Sequence, residues 1–160
     1  MAYQGINALF RSTRVAASSA RAHRQWLNNI SNNLANKDTV DTGKMDKEGN
    51  YIPYARQVPI FSKVLSEKFR ENRVREDVIN GVTVKKTAQL KNEYESVYDP
   101  DHPAARRAGS KDAGYVYYPK ISIAQEMADL KIAAASYEAD ITVMAVSNKL
   151  FDQALSIGRN

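Results

Sequence analysis

Histidine occurs only at His23 and His102 in this chain of 160 residues, and cysteine does not occur at all. Nucleophilic, general-base and transition-metal chemistry draw heavily on these two residue types, in clusters or at set spacings. His23 falls on the apolar seam of an N-terminal helix, the place of a packed histidine, with no nucleophile or ligand partner at motif spacing. His102 ends the stretch Asp-Pro-Asp-His, 99–102, where Pro100 and Pro103 make a rigid turn the better account than a metal site. Glu126, Asp129, Glu138 and Asp140 follow helical spacing, which marks a solvated or partner-facing side. The chain has no glycine-rich phosphate loop, no Gly-x-Ser-x-Gly and no His-Glu-x-x-His. We therefore expect no enzyme, no cofactor and no metal.

Arg11, Arg14, Arg21 and Arg24 are separated by three, seven and three residues, which keeps them on one side of a helix, opposite its apolar seam. Such a stripe can meet phosphate on lipid or nucleic acid, or an acidic neighbour. Base-stacking aromatics are not interleaved with it, which argues against nucleic acid. The net charge of +5 is spread along the chain and identifies no partner. A small helical binding module that docks this basic face on lipid or nucleic acid is the alternative reading of the chain. Next along is NNISNNLAN, 28–36, with Asn28, Asn29, Asn32, Asn33 and Asn36. Asparagine competes for backbone hydrogen bonds and is a mediocre helix former. On a helical wheel these five fall between about 160° and about 300° from Ile30, away from the seam. They read either as a polar packing face that lets neighbouring helices approach closely or as local features, with Asn36 capping the helix.

The elements that carry these residues are two long helices. Leu9, Thr13, Ala16, Ala20, His23, Leu27, Ile30 and Leu34 alternate steps of four and three, the period of a helix lying along another helix. Ile123, Met127, Leu130, Ala134, Tyr137, Ile141, Met144, Asn148, Phe151 and Leu155 do the same. Pro119 and a Ser122–Gln125 capping box mark the start of the second helix, with Glu126 and Asp129 near its positive end. Lys149 and Arg159 lie toward its other end, and Gly158 is placed to close it. Helices over 7–36 and 122–157 would be about 45 and about 54 Å long. Residues 37–121 contain all five prolines and read as turn-rich, with extended stretches at 54–64 and 115–118. Asn80-Gly81 within VINGVTV signals a hairpin turn. Residues 63–77 fit helix or irregular chain, and 98–114 fit a loop. The chain contains no apolar run long enough to span a bilayer, and MAYQGINALFRSTR lacks the order of a secretory signal, so any route out of the cytoplasm must be another one.

LNNISNNLANKDT, 27–39, resembles the Ser-Asn-Asn-Leu/Ile-Ala-Asn signature of bacterial flagellar axial proteins, the rod, hook and hook-associated subunits. GYVYYPKISIAQEMADLKIAAASYEADITVMAVSNKLFDQALSIGR, 114–159, is similar to the end of a proximal-rod subunit of that family, through Gly114, Tyr115, Val116, Pro119, Glu126, Met127, Asp129, Tyr137 and Ala139. YARQVPIF, 54–61, and VYDPDHPAARRAGSKDAGYV, 97–116, extend the likeness over nearly the whole chain. Ala135 and Asp140 stand where the pattern usually has Arg and Asn, and a basic neighbour such as Arg21 or Arg24 would match the added charge of Asp140.

The resemblance implies a mainly α fold whose terminal helices pair as an antiparallel coiled coil, with an irregular, partly β middle. Residues 1–36 and 122–160 would be the inner rod-core part, and 37–121 the outer segment. It implies a structural, torque-transmitting subunit of the periplasmic basal-body rod that assembles helically with copies of itself and other rod proteins. Passage would be through the flagellar type III export apparatus, without direct membrane insertion and without nucleic acid. Leu27, Ile30, Leu34, Met127, Leu130, Tyr137, Ile141, Met144, Phe151 and Leu155 would hold the helix pair. The five asparagines and four arginines would face other subunits.

Overall fold

A computed structural model describes the backbone of residues 2–69, 75–91 and 93–157, and the side chains of 10–64, 81–91 and 93–157. The order is α1 (Ala2–Ala35), β1 (Arg56–Phe69), β2 (Arg75–Leu90), β3 (Tyr94–Tyr98), β4 (Tyr115–Pro119) and α2 (Ile123–Ile157). The chain is thus mainly helical with a partly β middle. The helices have 34 and 35 residues, about 50 Å each. Alanine-rich stretches and the lack of internal proline favour such length. Ser122 Oγ accepts from Gln125 N at 3.4 Å and Ser122 O from Glu126 N at 3.0 Å, which is the Ser122 half of the expected capping box. At the end of α1, Asn36 N and Nδ2 both donate to Asn32 O, at 3.0 and 2.9 Å, and Thr39 Oγ1 donates to Asn36 Oδ1. Gly158 and Arg159 lie outside the described residues.

The chain divides into two compact units, and both helices contribute to each. One comprises Met1–Leu27, Pro59–Lys86 and Leu130–Asn160. Here Phe10 meets Phe151 with ring centroids 4.5 Å apart, Ser12 Oγ meets Ser147 Oγ at 3.3 Å, and His23 Nδ1 meets Asp140 Oδ2 at 2.8 Å. The contacts ascend along α1 while they descend along α2, so the helices run in opposite directions. Ala16 and Ala20 are buried on α1 and Ala133 on α2, small residues that permit close approach. A carboxylate only accepts, so His23 Nδ1 carries the proton it shares with Asp140. The partner of Asp140 is His23 rather than Arg21 or Arg24, which are both exposed.

β1 and β2 pair as a two-stranded ribbon, and the part of it that belongs to this unit, from Pro59 on β1 and up to Lys86 on β2, lies on α1. Phe61 packs edge-on to Trp26 at 5.7 Å and beside His23 at 6.0 Å. Val82 N donates to Ser18 Oγ at 3.0 Å, and Ser18 Oγ donates onward to Val15 O at 2.8 Å. The Asn80-Gly81 hairpin signal is corrected: β2 runs straight through it, and residues expected to be helical or irregular at 63–69 and 75–77 are strand. Gly81 serves close approach instead, because a Cβ there would overlap Ser18 Oγ and Cβ.

The other unit comprises Asn28–Val58 and Thr87–Asp129. β3 and β4 pair antiparallel, Tyr94 with Pro119 through Tyr98 with Tyr115. Val116 of β4, opposite Val97, is fully buried. Asn50 pins the 46–50 turn to the 107–110 turn: its Oδ1 accepts from Arg107 N at 3.1 Å and its Nδ2 donates to Ser110 Oγ at 3.0 Å. The backbone N–H of Asn50 holds the Asp46 carboxyl below the usual carboxylate range, with further donors from Glu48 and the Asn50 side chain. Tyr117 is pushed above the usual tyrosine value, chiefly because its hydroxyl donates to Asp112 Oδ2 at 2.6 Å. Arg106, 4.2 Å above the Tyr117 ring, acts in the opposite sense.

A buried polar clamp completes this unit. Asn33 Oδ1 accepts from Gln57 N at 2.8 Å and Asn33 Nδ2 donates to Gln57 O at 2.9 Å, the two-bond exchange that a neighbouring strand would make. Tyr54 Oη donates to Asn33 Oδ1 at 3.0 Å, and Asn33 Nδ2 also reaches Glu126 Oε2 at 3.2 Å. Burial, and then the Glu126 charge, raise the Tyr54 hydroxyl above its ordinary value. Arg56 Nε donates to Glu126 Oε1 at 2.6 Å, and its Nη2 lies 3.5 Å from Asp129 Oδ2. Glu126 and Asn33 are each only 1% exposed, so every partner matters.

Three outcomes follow from these contacts. Arg56→Ala leaves the Glu126 carboxylate buried without its cation, at a cost of about 3 kcal/mol. Amide exchange across residues 28–58 and 115–129 should accelerate accordingly, and Arg56→Ala with Glu126→Gln should recover most of the loss; unchanged protection would refute the clamp. Gly81→Ala should shift the emission of Trp26, the single tryptophan, to the red by lifting the ribbon, and adding Ser18→Gly should restore it. An unshifted spectrum counts against that contact. In an alkaline absorbance titration Tyr117 should ionise after the exposed tyrosines, and Asp112→Ala should bring it back among them. Since its folded value is raised, the stability it contributes is intact below the unfolded tyrosine value and is lost as pH rises through the folded one.

Candidate assembly surface

α1 has three distinct faces. The row Thr13, Ala16, Ala20, His23, Leu27, Ile30 and Leu34 is buried or half-buried throughout, as its spacing suggests; Leu9 lies outside the described side chains. On a second face Ala22, Asn29 and Asn33 are buried, and Asn33 meets Tyr54 and Gln57 of the middle segment. Asn33 is held in the clamp, Asn36 caps the helix, and Asn29 Nδ2 is buried without a hydrogen-bond partner. The third face is open: Arg14, Arg21, Arg24, Asn28 and Asn32 are exposed, and Arg11 is exposed beside them. No carboxylate occurs anywhere in α1, so this face is purely basic.

α2 is different. Its covered row is Glu126, Leu130, Ala133, Tyr137, Asp140, Met144, Ser147 and Phe151, again in steps of four and three. Leu130, Tyr137, Met144 and Phe151 are on it, as expected from their spacing. Met127, Ile141 and Leu155 sit one residue along from it and are exposed by 44, 43 and 65%. Glu126, Asp140 and Ser147 fill the remaining places, polar residues that a hydropathy pattern passes over. Each is accepted there because α1 or Arg56 supplies a partner.

Outside this row α2 exposes aliphatic side chains as well as the charged Lys131, Glu138, Lys149 and Asp152. Ile132, Val143, Val146, Leu150 and Ile157 are exposed, by 45 to 77%, and with Ala139 they follow steps of seven, four, three, four and seven. Sequence reasoning missed this row, although its spacing was visible. Beside it, Arg11, Val15, Ala16, Val82, Asp140 and Val143 line a shallow groove of about 510 Å³. Among the described residues no cluster of His, Asp and Glu could hold a metal, and no helix is long and apolar enough to cross a membrane. His102 Nδ1 accepts from Ala104 N at 3.0 Å, a turn contact.

No family model matches the chain. Individual relatives do, and along nearly their whole length. The chain is 34% identical to the flagellar basal-body rod protein FlgC of Borreliella burgdorferi, over 93% of this chain and 97% of the relative. It is 32% identical to FlgC of Bacillus subtilis, over 94 and 98%, and 30% identical to FlgC of Escherichia coli O6:H1, over 95 and 99%. The likeness spans both long helices and the β segments between them: the chain belongs to the flagellar basal-body rod protein FlgC family.

Proposed function

We propose that this chain is a structural subunit of the flagellar basal-body rod, where it passes torque along a helical assembly. The aliphatic surface that α2 leaves open carries this reading. Covering a valine, leucine or isoleucine side chain is worth roughly 1.5–3 kcal/mol, and exposed rows of them are stable only against a neighbour. In this reading α1 and α2 pair as an antiparallel coiled coil, and copies of the chain and other rod components cover the remaining faces. The seam residues Leu27, Ile30, Leu34, Leu130, Tyr137, Met144 and Phe151 hold the pair.

The arginine row Arg11, Arg14, Arg21 and Arg24, with exposed Asn28 and Asn32, is assigned to a neighbouring subunit rather than to lipid or nucleic acid. Residues 1–36 and 122–160 form the rod-core part and 37–121 the segment carried with it. Delivery is by the flagellar type III export apparatus. Many contacts spread along two long rods resist twisting better than one small site, and head-to-tail contacts that do not close produce a filament. The protein performs no reaction and needs no cofactor.

Leu27→Asp puts a charge into the half-buried seam of the pair. In cells lacking the native gene, the variant should be exported yet leave basal bodies without it, and swimming in soft agar should be lost. Normal swimming with normal amounts of the variant in purified basal bodies would overturn the proposal.

A further inference from the structure

Three segments remote in sequence enclose a pocket of about 420 Å³ in the unit of residues 28–58 and 87–129. The stretch 42–55 supplies Lys44, Tyr51 and Tyr54, the passage from β2 into β3 supplies Lys91 and Tyr94, and the loop before β4 supplies Arg106. Its size is within the range of pockets that hold ligands.

The polar groups around it are unequally used. Asp46, the one carboxylate of the lining among the described residues, already accepts from Glu48 N and Asn50 N, both at 2.9 Å, and from Asn50 Nδ2 at 3.3 Å. Its Oδ2 also lies 3.9 Å from Arg106 Nη2, and that guanidinium rests on the Tyr117 ring. The Tyr54 hydroxyl is spent on Asn33. By contrast, Lys44 and Lys91 are exposed and have no ion-pair partner among the described residues, where the hydroxyls of Tyr51 and Tyr94 meet no acceptor either. The pocket therefore offers donors and positive charge in excess of acceptors.

That imbalance selects an occupant. A ligand has to bring acceptors, and the strongest for two ammonium groups are carboxylates. Arg106, the side chain best shaped to grip a single phosphate, is already engaged, which leaves two point charges on separate segments. Ile52, Pro53, Ala55 and the tyrosine rings form the apolar part of the wall. Sugar hydroxyls donate as well as accept, and the filled Asp46 leaves them little to donate to. An acidic peptide brings carboxylates and carbonyls that only accept, together with an apolar side chain for the rings.

We propose that this pocket docks an acidic peptide segment of another protein, with carboxylates on Lys44 and Lys91 and an apolar side chain against Tyr51 and Tyr94. The contact uses neither helix face and goes beyond the rod-subunit reading. It gives the middle segment a partner of its own.

The full-length protein is titrated by fluorescence anisotropy with fluorescein-labelled Ser-Glu-Leu-Glu-Ser, with its counterparts carrying Phe or Tyr at the centre, and with Ser-Gln-Leu-Gln-Ser. The acidic peptides should bind saturably, and the amide peptide should not. Lys44→Ala and Lys91→Ala should each weaken binding about fivefold, the upper end of what one exposed ion pair contributes, while Lys149→Ala on α2 should leave it unchanged. Lys44→Glu with Lys91→Glu should reject the acidic peptides and take Ser-Lys-Leu-Lys-Ser instead. Absence of saturable binding, equal binding of the amide peptide, unchanged affinity in the Lys44 and Lys91 variants, or no exchange of preference in the reversed pair would overturn the proposal. An equal loss with Lys149→Ala would also overturn it, by reducing the contact to general attraction toward a basic protein. So would displacement by an oligogalacturonate as effective as that by unlabelled peptide, which would make the site one for acidic glycans.

Discussion

A pair of antiparallel helices can shield only one side of each member, and here each helix runs for more than thirty residues. That constraint governs the rest of the molecule. α1 meets it within the chain, by lying against α2 on one face and under the middle segment on the next. α2 does not, and keeps aliphatic side chains facing outward over most of its length. Conformational entropy opposes ordering such rods, and one narrow seam offsets only part of it. The unburied rows therefore tie the stability of α2 to its neighbours, so order and assembly reinforce each other.

The contacts between α1 and α2 are specified by polar pairs more than by bulk. Ser12 with Ser147 and His23 with Asp140 mark the seam in one unit, and Asn33 with Glu126 marks it in the other. A slipped helix could exchange one aliphatic contact for another at little cost, but it would strand a buried carboxylate or amide. Alanines at Ala16, Ala20 and Ala133 let the backbones come close but say nothing about register. The polar pairs supply that information.

How much of this could be read from the sequence depended on how uneven each helix is. α1 has one apolar side and one basic side, and the row that its spacing picks out from Thr13 to Leu34 is buried or half-buried. α2 is apolar at nearly every turn, and periodicity alone could not say which row meets α1. The favoured row took Met127 and Ile141, whereas the structure covers Glu126 and Asp140, whose value lies in partners far away in sequence. The asparagine cluster had an analogous ambiguity. Its spacing showed a second face, but only the fold reveals that Asn33 turns inward while Asn28 and Asn32 do not. Asn80-Gly81 misled for a third reason: glycine suits a tight turn and a tight crossing equally, and Ser18 is remote in sequence.

Asn33 has a wider consequence. Its side-chain amide gives Gln57 the same pair of hydrogen bonds that a neighbouring strand would give, so a helix supplies the first rung of a β ladder. Strand side chains alternate, and a shift of one residue exchanges the two faces of the entire strand. Gln57 stands near the start of β1, so this one amide fixes the strand's parity where it begins. The helix thereby dictates the parity of the ribbon, much as the first tooth of a zip determines the alignment of the rest.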